Sequence, residues 1–191
     1  MTLYTDSQPT YASGYLWDRV LPLVPAGARV FEIGCGNGAL VRELRKRGHE
    51  VIGIDTSESG VAMGGEGCFV GSAYDDLAGR YGKFDCVVSL EVIEHLFEPR
   101  RFVRATRELL KPQGVAIIST PYHGYWKNLA LALTGKLDAH FTALWDGGHI
   151  KFWSERTLRT LLQEGGYSVR FHRAGRFGPL AKSLVAEARL R

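Results

Sequence analysis

The stretch SLEVIEHL (89–96) places two carboxylates and an imidazole, Glu91, Glu94 and His95, within five positions. On a helix, residues i, i+3 and i+4 share a face, so the three could converge. Such a set would serve as ligands for a divalent cation or as a general acid and base. His123, His140 and His149 follow later in the chain and are placed to reach the same rim of an α/β sheet. Whether these groups act, or only flank the chemistry, depends on the elements that carry them.

Short β-branched runs bounded by turn residues predict buried strands at 28–33, 50–55, 68–72, 84–90 and 114–120. Between them, 38–48 and 100–114 show helical spacing of apolar residues and stop at glycine, with Pro112 just past the second. The segment SERTLRTLLQEGGY (154–167) opens on a serine cap and closes on a glycine pair, which predicts a helix. YSVRFHRAG and SLVAEARLR read as closing strands. Strand alternating with helix makes an α/β fold, a doubly wound, Rossmann-like, seven-stranded and mostly parallel sheet with helices on both faces. The expectation is a single domain over 1–191. Residues 121–149 form a helical lid insertion in it, with one or two amphipathic helices within 125–145.

With 191 residues, 45% hydrophobic and 23% charged, the chain has enough material for a full core without disulfide staples. Its three cysteines, Cys35, Cys68 and Cys86, are odd in number and lack C-x-x-C spacing, which argues against a disulfide framework or thiolate zinc. The first residues, MTLYTDSQPTYASGYLW, show neither a basic start nor an apolar run, so a cytoplasmic location is expected. The net charge is +4, and Arg170, Arg173, Arg176, Lys182, Arg189 and Arg191 crowd the last stretch, most simply as a solvated edge.

The run VFEIGCGNGAL (30–40) narrows the chemistry. A strand enters Gly34, Gly36 and Gly38 and a helix follows, a turn that lets the backbone approach a ligand. The spacing is G-x-G-x-G, not the G-x-G-x-x-G of dinucleotide sites. Glu32 precedes the first glycine, where it would repel a pyrophosphate and attract a cation. Asp55 closes the second strand, where a carboxylate can accept ribose hydroxyls. A ligand with a ribose, a cationic centre and no pyrophosphate is S-adenosyl-L-methionine.

On these residues the chain resembles the class I S-adenosylmethionine-dependent methyltransferases. FEIGCGNG and GIDTS are the matching motifs, and FDCVVSLEVIEHL is similar to the fourth strand and the turn after it in small-molecule members. The resemblance implies that Gly34, Cys35 and Gly36 hold the methionine part, with Asp55 on the ribose and Glu32 beside them. It puts Ser72, Ala73 and Tyr74 around the adenine and Leu90 against the cofactor. Family members often carry G-D-A after the third strand; this chain has G-S-A, so the adenine contact passes to Ser72 or Asp75.

A methyl acceptor on oxygen needs a base, and the expectation is His149 or His123, with Glu91 also at the site. Small-RNA terminal 2′-O-methyltransferases resemble the chain in E-x-x-E-H plus a later histidine, which would make Glu91, Glu94, His95 and His149 a metal set. Ubiquinone-pathway O-methyltransferases show a comparable arrangement, and the reading adopted is no resident metal, with Glu91 lining the cofactor pocket and Glu94 and His95 locking the turn after the fourth strand. The aromatic lid (Tyr122, Tyr125, Trp126, Phe141, Trp145) fits a small aromatic or lipid-like acceptor. Peripheral membrane contact would fall near Lys127 and Lys136. Few basic residues stand among those aromatics, which argues against nucleic acid. The alternatives are a metal-dependent RNA 2′-O-methyltransferase and a non-catalytic cofactor-binding partner subunit. Oligomeric state is not legible.

Overall fold

The apolar runs form parallel strands β1 (Arg29–Ile33), β2 (Glu50–Asp55), β3 (Cys68–Val70), β4 (Phe84–Leu90) and β5 (Leu110–Pro121). They come from a computed structural model that describes residues 14–141, 143–144, 146–175 and 181–191. β6 (Tyr167–Ala174) and β7 (Ser183–Leu190) complete a seven-stranded sheet of order β3-β2-β1-β4-β5-β7-β6. Among the described strands β7 alone points opposite to the other six. The strand order reverses between β1 and β4, so a crevice opens there at the carboxyl ends of the strands.

Successive strand residues face opposite sides, and both sides are apolar. Phe31, Val87, Ala116 and Ile118 pack with α5 (Pro99–Leu109) and α8 (Glu155–Glu164) through Phe102, Leu109, Leu158 and Leu162. Val30, Val88, Val115 and Ile117 pack with α1 (Trp17–Val20) and α2 (Ala39–Lys46) through Val20, Leu40 and Leu44. The remaining helices are α3 (Glu58–Gly64), α4 (Leu77–Tyr81), α6 (Tyr125–Leu133) and α7 (Leu137–Phe141).

The sequence spacing missed three helices, α1, α3 and α4, and misplaced the end of α5. α3 and α4 are too short for a periodic pattern; each is started by a side-chain cap, Ser57 accepting from Gly60 N and Asp76 from Gly79 N. α5 ends at Leu109, five residues before the expected glycine stop, because Leu110 already pairs with Phe84 of β4. The strand then bulges through Lys111–Gly114, with Gln113 at φ +66°, before Val115 pairs with Cys86. The basic residues of β6 and β7 are exposed, as expected of a solvated edge. Arg176, Trp145 and the first thirteen residues, on which the leader reading rests, lie outside the described residues. Among the described residues no helix is long and apolar enough to cross a membrane.

Candidate functional site

Glu32, Asp55, Val70 and Leu90 stand at or beside the carboxyl ends of four adjacent parallel strands, so the predicted cofactor residues share one rim. Past β1 the chain turns through Gly34, Gly36 and Gly38, all with positive φ. A Cβ on Gly34 would run into Val92 Cγ2, so only glycine lets this turn lie against the loop after β4. Gly34 N and Cys35 N both donate to Ile54 O, at 2.8 and 2.9 Å. Asp55 then pins the turn from below: one oxygen accepts from Gly36 N and the other from Ser57 N, each at 2.8 Å. Each carboxylate oxygen keeps a second lone pair for a ligand hydroxyl.

Glu32 is buried beneath this turn, and its Oε2 has no hydrogen-bond partner among the described residues. Burial pushes its pKa well up, with Cys68 and Asp55 adding to the rise. An orphaned carboxyl oxygen below a backbone turn fits a ligand that brings positive charge. Across the rim, Ser72 N donates to Asp75 Oδ2 at 2.8 Å, and Ser72 Oγ accepts from Tyr74 N at 3.2 Å, so Ser72 and Asp75 form one small turn. Ala73 is buried in the core. The Tyr74 hydroxyl accepts from Glu98 N, and the Arg101 guanidinium lies 5.0 Å from its ring centre, which holds this edge to α5.

SLEVIEHL does not form the helix that would put its three polar side chains on one face. Glu91 has φ +56°, and only Ile93–His95 make a 3-10 turn. The backbone break sends Glu91 one way and Glu94 with His95 another. Glu91 Oε1 accepts from Ser119 Oγ at 2.7 Å and Oε2 from Ser183 Oγ at 3.2 Å; Tyr15 stands behind Ser183 at 2.5 Å. Burial raises Glu91 to about 7, although the two serines, Lys182 and Lys127 favour its ionised form.

Glu94 is buried and meets His95 and His149, with one ligand atom of each within 4.8 Å of the others. The backbone makes the meeting: Ile150 N and Lys151 N donate to Glu94 O at 2.9 and 3.0 Å. His95 Nδ1 donates to Gly147 O at 2.9 Å, which leaves the ring lone pair on Nε2. Glu94's oxygens make no hydrogen bond of standard geometry among the described residues, although the Thr120 hydroxyl favours the ionised form slightly. Burial, then the charge of Glu91, raises its pKa well above the carboxylate range. His123 is buried, with the Phe141 ring 5.8 Å away and stacked at 17°; burial first, then Lys127 and the other imidazoles, lowers its pKa to about 4.

Beside Glu91 lies a cleft of about 440 Å³ walled by α6 (Lys127, Ala130, Leu131), Tyr15 and the start of β7 (Lys182, Ser183). Glu91 and His140 line it, whereas His123 and His149 do not. Tyr15, Ser119, Lys182 and Ser183 were missed in the sequence. Ser183 stands 92 positions from Glu91, and no local pattern links them.

A family model described as a methyltransferase domain matches residues 9–171. The chain belongs to the class I S-adenosylmethionine-dependent methyltransferases. A ubiquinone biosynthesis O-methyltransferase of Cereibacter sphaeroides is 31% identical over 188 residues, covering 90% of this chain and 73% of the relative. One from Ruegeria pomeroyi is 32% identical over 168 residues, covering 82% of this chain and 66% of the relative. Among solved structures, a magnesium protoporphyrin IX methyltransferase from Synechocystis with bound SAH (S-adenosylhomocysteine) shares the fold. Its TM-score is 0.64 at 23% identity, over 92% of this chain and 78% of that one.

This methyltransferase uses S-adenosylmethionine, and its rim has the matching chemistry. The Asp55 lone pairs suit the ribose, while the buried Glu32 suits the positive charge of the ammonium and sulfonium. Three of the four residues in the metal set converge; Glu91 is engaged by Ser119 and Ser183 instead. Glu94, His95 and His149 fit a divalent cation by donor type and by their convergence.

Proposed function

We propose that this methyltransferase methylates a hydroxyl of a small aromatic or lipid-linked acceptor, with Glu91 taking the hydroxyl proton. The observation that carries the reading is the Glu91 carboxyl, held by Ser119 and Ser183 and lining a cleft one residue past the end of β4, with burial raising its pKa to about 7. The name shared by the two relatives supports transfer to oxygen.

Bound S-adenosylmethionine supplies a methyl group on a cationic sulfur, so the protein's part is alignment, water exclusion and proton handling. The wall of α6 orients the acceptor, with Leu131 and Ala130 against its apolar body. Glu91 receives the proton on a carboxylate oxygen while Ser119 and Ser183 keep the carboxylate aimed at the cleft. The residue pattern points to His149 or His123 as the base; the cleft lining favours Glu91 over both.

In this reading residues 1–191 are one domain and 121–149 its lid. Tyr125, Trp126, Leu133 and Leu144 are 73%, 67%, 78% and 99% exposed, a face suited to the surface of a membrane that delivers a lipid-linked acceptor. The protein then works in the cytoplasm against that surface. Methyl transfer from S-adenosylmethionine to a panel of hydroxylated aromatics, read by product mass, tests the proposal. Methylation of oxygen in the wild type and its loss in Glu91→Gln support it; turnover only on nitrogen or carbon acceptors rejects it.

The Glu94, His95 and His149 triad favours a second reading in which a divalent cation polarises the acceptor hydroxyl. That arrangement would serve a small molecule or an RNA 2′-hydroxyl. Metal analysis of the purified protein, with activity before and after EDTA, separates the two readings. Activity that survives complete metal removal leaves Glu91 acting alone.

A further inference from the structure

Two thiols lie under the cofactor turn and take no part in the transfer described above. Cys35 is the middle residue of the Gly34–Gly36 turn, and Cys68 opens β3. Gly53 of β2 links them: it is the register partner of Cys68, and a Cβ on it would stand 2.7 Å from Cys35 Cβ and 3.0 Å from Cys35 Sγ. Cys68 Sγ in turn lies 2.7 Å from where a Cβ would stand on either Gly38 or Gly64. Gly38 N donates to Cys35 O at 2.8 Å, so the wall that holds one sulfur is tied to the residue that bears the other. Three glycines thus leave space for the two sulfurs between the turn, β2 and β3, where Cys35 Sγ lies 3.9 Å from Gly36 O and the two thiols influence each other.

The surroundings make the two sulfurs unequal. The neighbouring Cys35 thiol brings the Cys68 thiol down to about 7, helped by Arg42 and Arg45. Both arginines are anchored at the edge of this space, Arg42 on Gly64 O at 3.3 Å and Arg45 on Val51 O at 3.2 Å. Cys68, with burial and Glu32, pushes the Cys35 thiol up. Of the two, Cys68 is the one that gives up its proton more readily. Both retain slight exposure, 6% at Cys35 and 7% at Cys68, whereas Cys86 is at 0% in the core.

We propose that Cys35 and Cys68 form a reversible disulfide when a hydroperoxide enters the empty cofactor cleft, and that this disulfide shuts the cofactor site. The Cys68 thiolate attacks the distal oxygen of the hydroperoxide; an S–O bond forms, the O–O bond breaks, and an alcohol (water, from hydrogen peroxide) leaves after taking up a proton. Cys35 sulfur then attacks the Cys68 sulfenic sulfur, the S–S bond forms, and the hydroxyl departs as water with the Cys35 proton. Two thiols are oxidised, one hydroperoxide is reduced, and a thiol reductant reverses the change.

The new bond draws Cys35 toward β3. The turn has no slack to absorb the movement, since Gly34 rests on Val92 and Gly36 N is held by Asp55. The displacement therefore falls on the backbone that the cofactor contacts. By linkage, bound cofactor opposes the oxidation as strongly as oxidation opposes binding.

The test uses the purified full chain treated with hydrogen peroxide, with and without S-adenosylhomocysteine. Free thiols are alkylated after denaturation and peptides mapped by mass, and S-adenosylhomocysteine affinity is read by calorimetry before oxidation, after it and after dithiothreitol. The expected result is a Cys35–Cys68 cross-link with Cys86 alkylated, an affinity lower by about tenfold or more, and full recovery on reduction. Bound S-adenosylhomocysteine slows the cross-link, and Cys68→Ser binds it equally well with or without peroxide. The proposal is overturned if both thiols remain alkylatable, if the cross-link forms without loss of affinity, or if Cys68→Ser loses affinity to peroxide as the wild type does.

Discussion

At the scale of single residues, Glu91 sits between opposed influences. Burial lifts its pKa, while Ser119, Ser183, Lys182 and Lys127 pull it down, and the balance rests at about 7. A base must be ionised to accept a proton, so kcat/KM should rise with pH through about 7 and level off above it. Glu91→Gln should lower kcat by about 10²–10⁴-fold and erase that rise; a rise of the same midpoint in the variant would assign the base elsewhere. Asp55 is the matching test for cofactor binding. Asp55→Ala removes the acceptor for Gly36 N and Ser57 N as well as for the ribose. S-adenosylhomocysteine binding should weaken by about 1–3 kcal/mol in calorimetry, and an unchanged affinity would take Asp55 out of the site.

At the scale of elements, the start of α2 shows how closely the loop is fitted. Gly38 and Gly48 bracket that helix with φ of +68° and +87°. A Cβ on Gly38 would meet Cys68 Sγ at 2.7 Å and Gly64 Cα at 2.8 Å, whereas one on Gly48 would meet nothing within 4 Å. Gly48→Ala should therefore cost about 1–2 kcal/mol in urea unfolding, the left-handed backbone penalty alone. Gly38→Ala should cost clearly more and should also weaken cofactor binding. Equal losses would mean that α3 and β3 move aside freely.

Much of this scale was legible in the sequence, for physical reasons. Strands buried on both faces give continuous apolar runs, and α8 announces itself through Ser154, whose side chain and that of Thr157 cap it reciprocally. The glycine turn was legible because the positive φ at Gly34, Gly36 and Gly38 admits few residue types. Only the helical reading, which put the Glu91 carboxylate with Glu94, fails, because a φ of +56° is not written in SLEVIEHL. The cleft was illegible because its walls come from Tyr15, α6 and β7, which only the assembled sheet brings together.

At the scale of the whole molecule, buried titratable groups set how stability follows pH. His123 stays neutral in the fold down to about 4, against an ordinary 6.5. Its contribution is fully present above 6.5 and is lost as pH falls toward 4, because the unfolded chain takes up a proton that the fold refuses. Glu91 works in the other direction: its folded pKa of about 7 lies above 4.5, so its contribution is present below 4.5 and declines as pH rises to about 7. His123→Phe should flatten the acid side of the Tm profile between 6.5 and 4 and leave the Glu91 side in place. A profile unchanged in that window would mean that His123 is solvated in the fold.

The reversed strand has a further consequence, for the order in which the sheet can be assembled. β6 has one neighbour, β7, and β7 is later in the chain. While the chain is being synthesised, β6 therefore waits without a hydrogen-bonding partner, and β5 shows an open edge, until Ser183–Leu190 have emerged. The parallel half, β1 to β5, can collapse around its own crossovers first; the last strand then slots between two strands already made. The same late arrival brings Ser183 to Glu91, so the carboxyl proposed as the base lacks one of its two serine partners until β7 is in place.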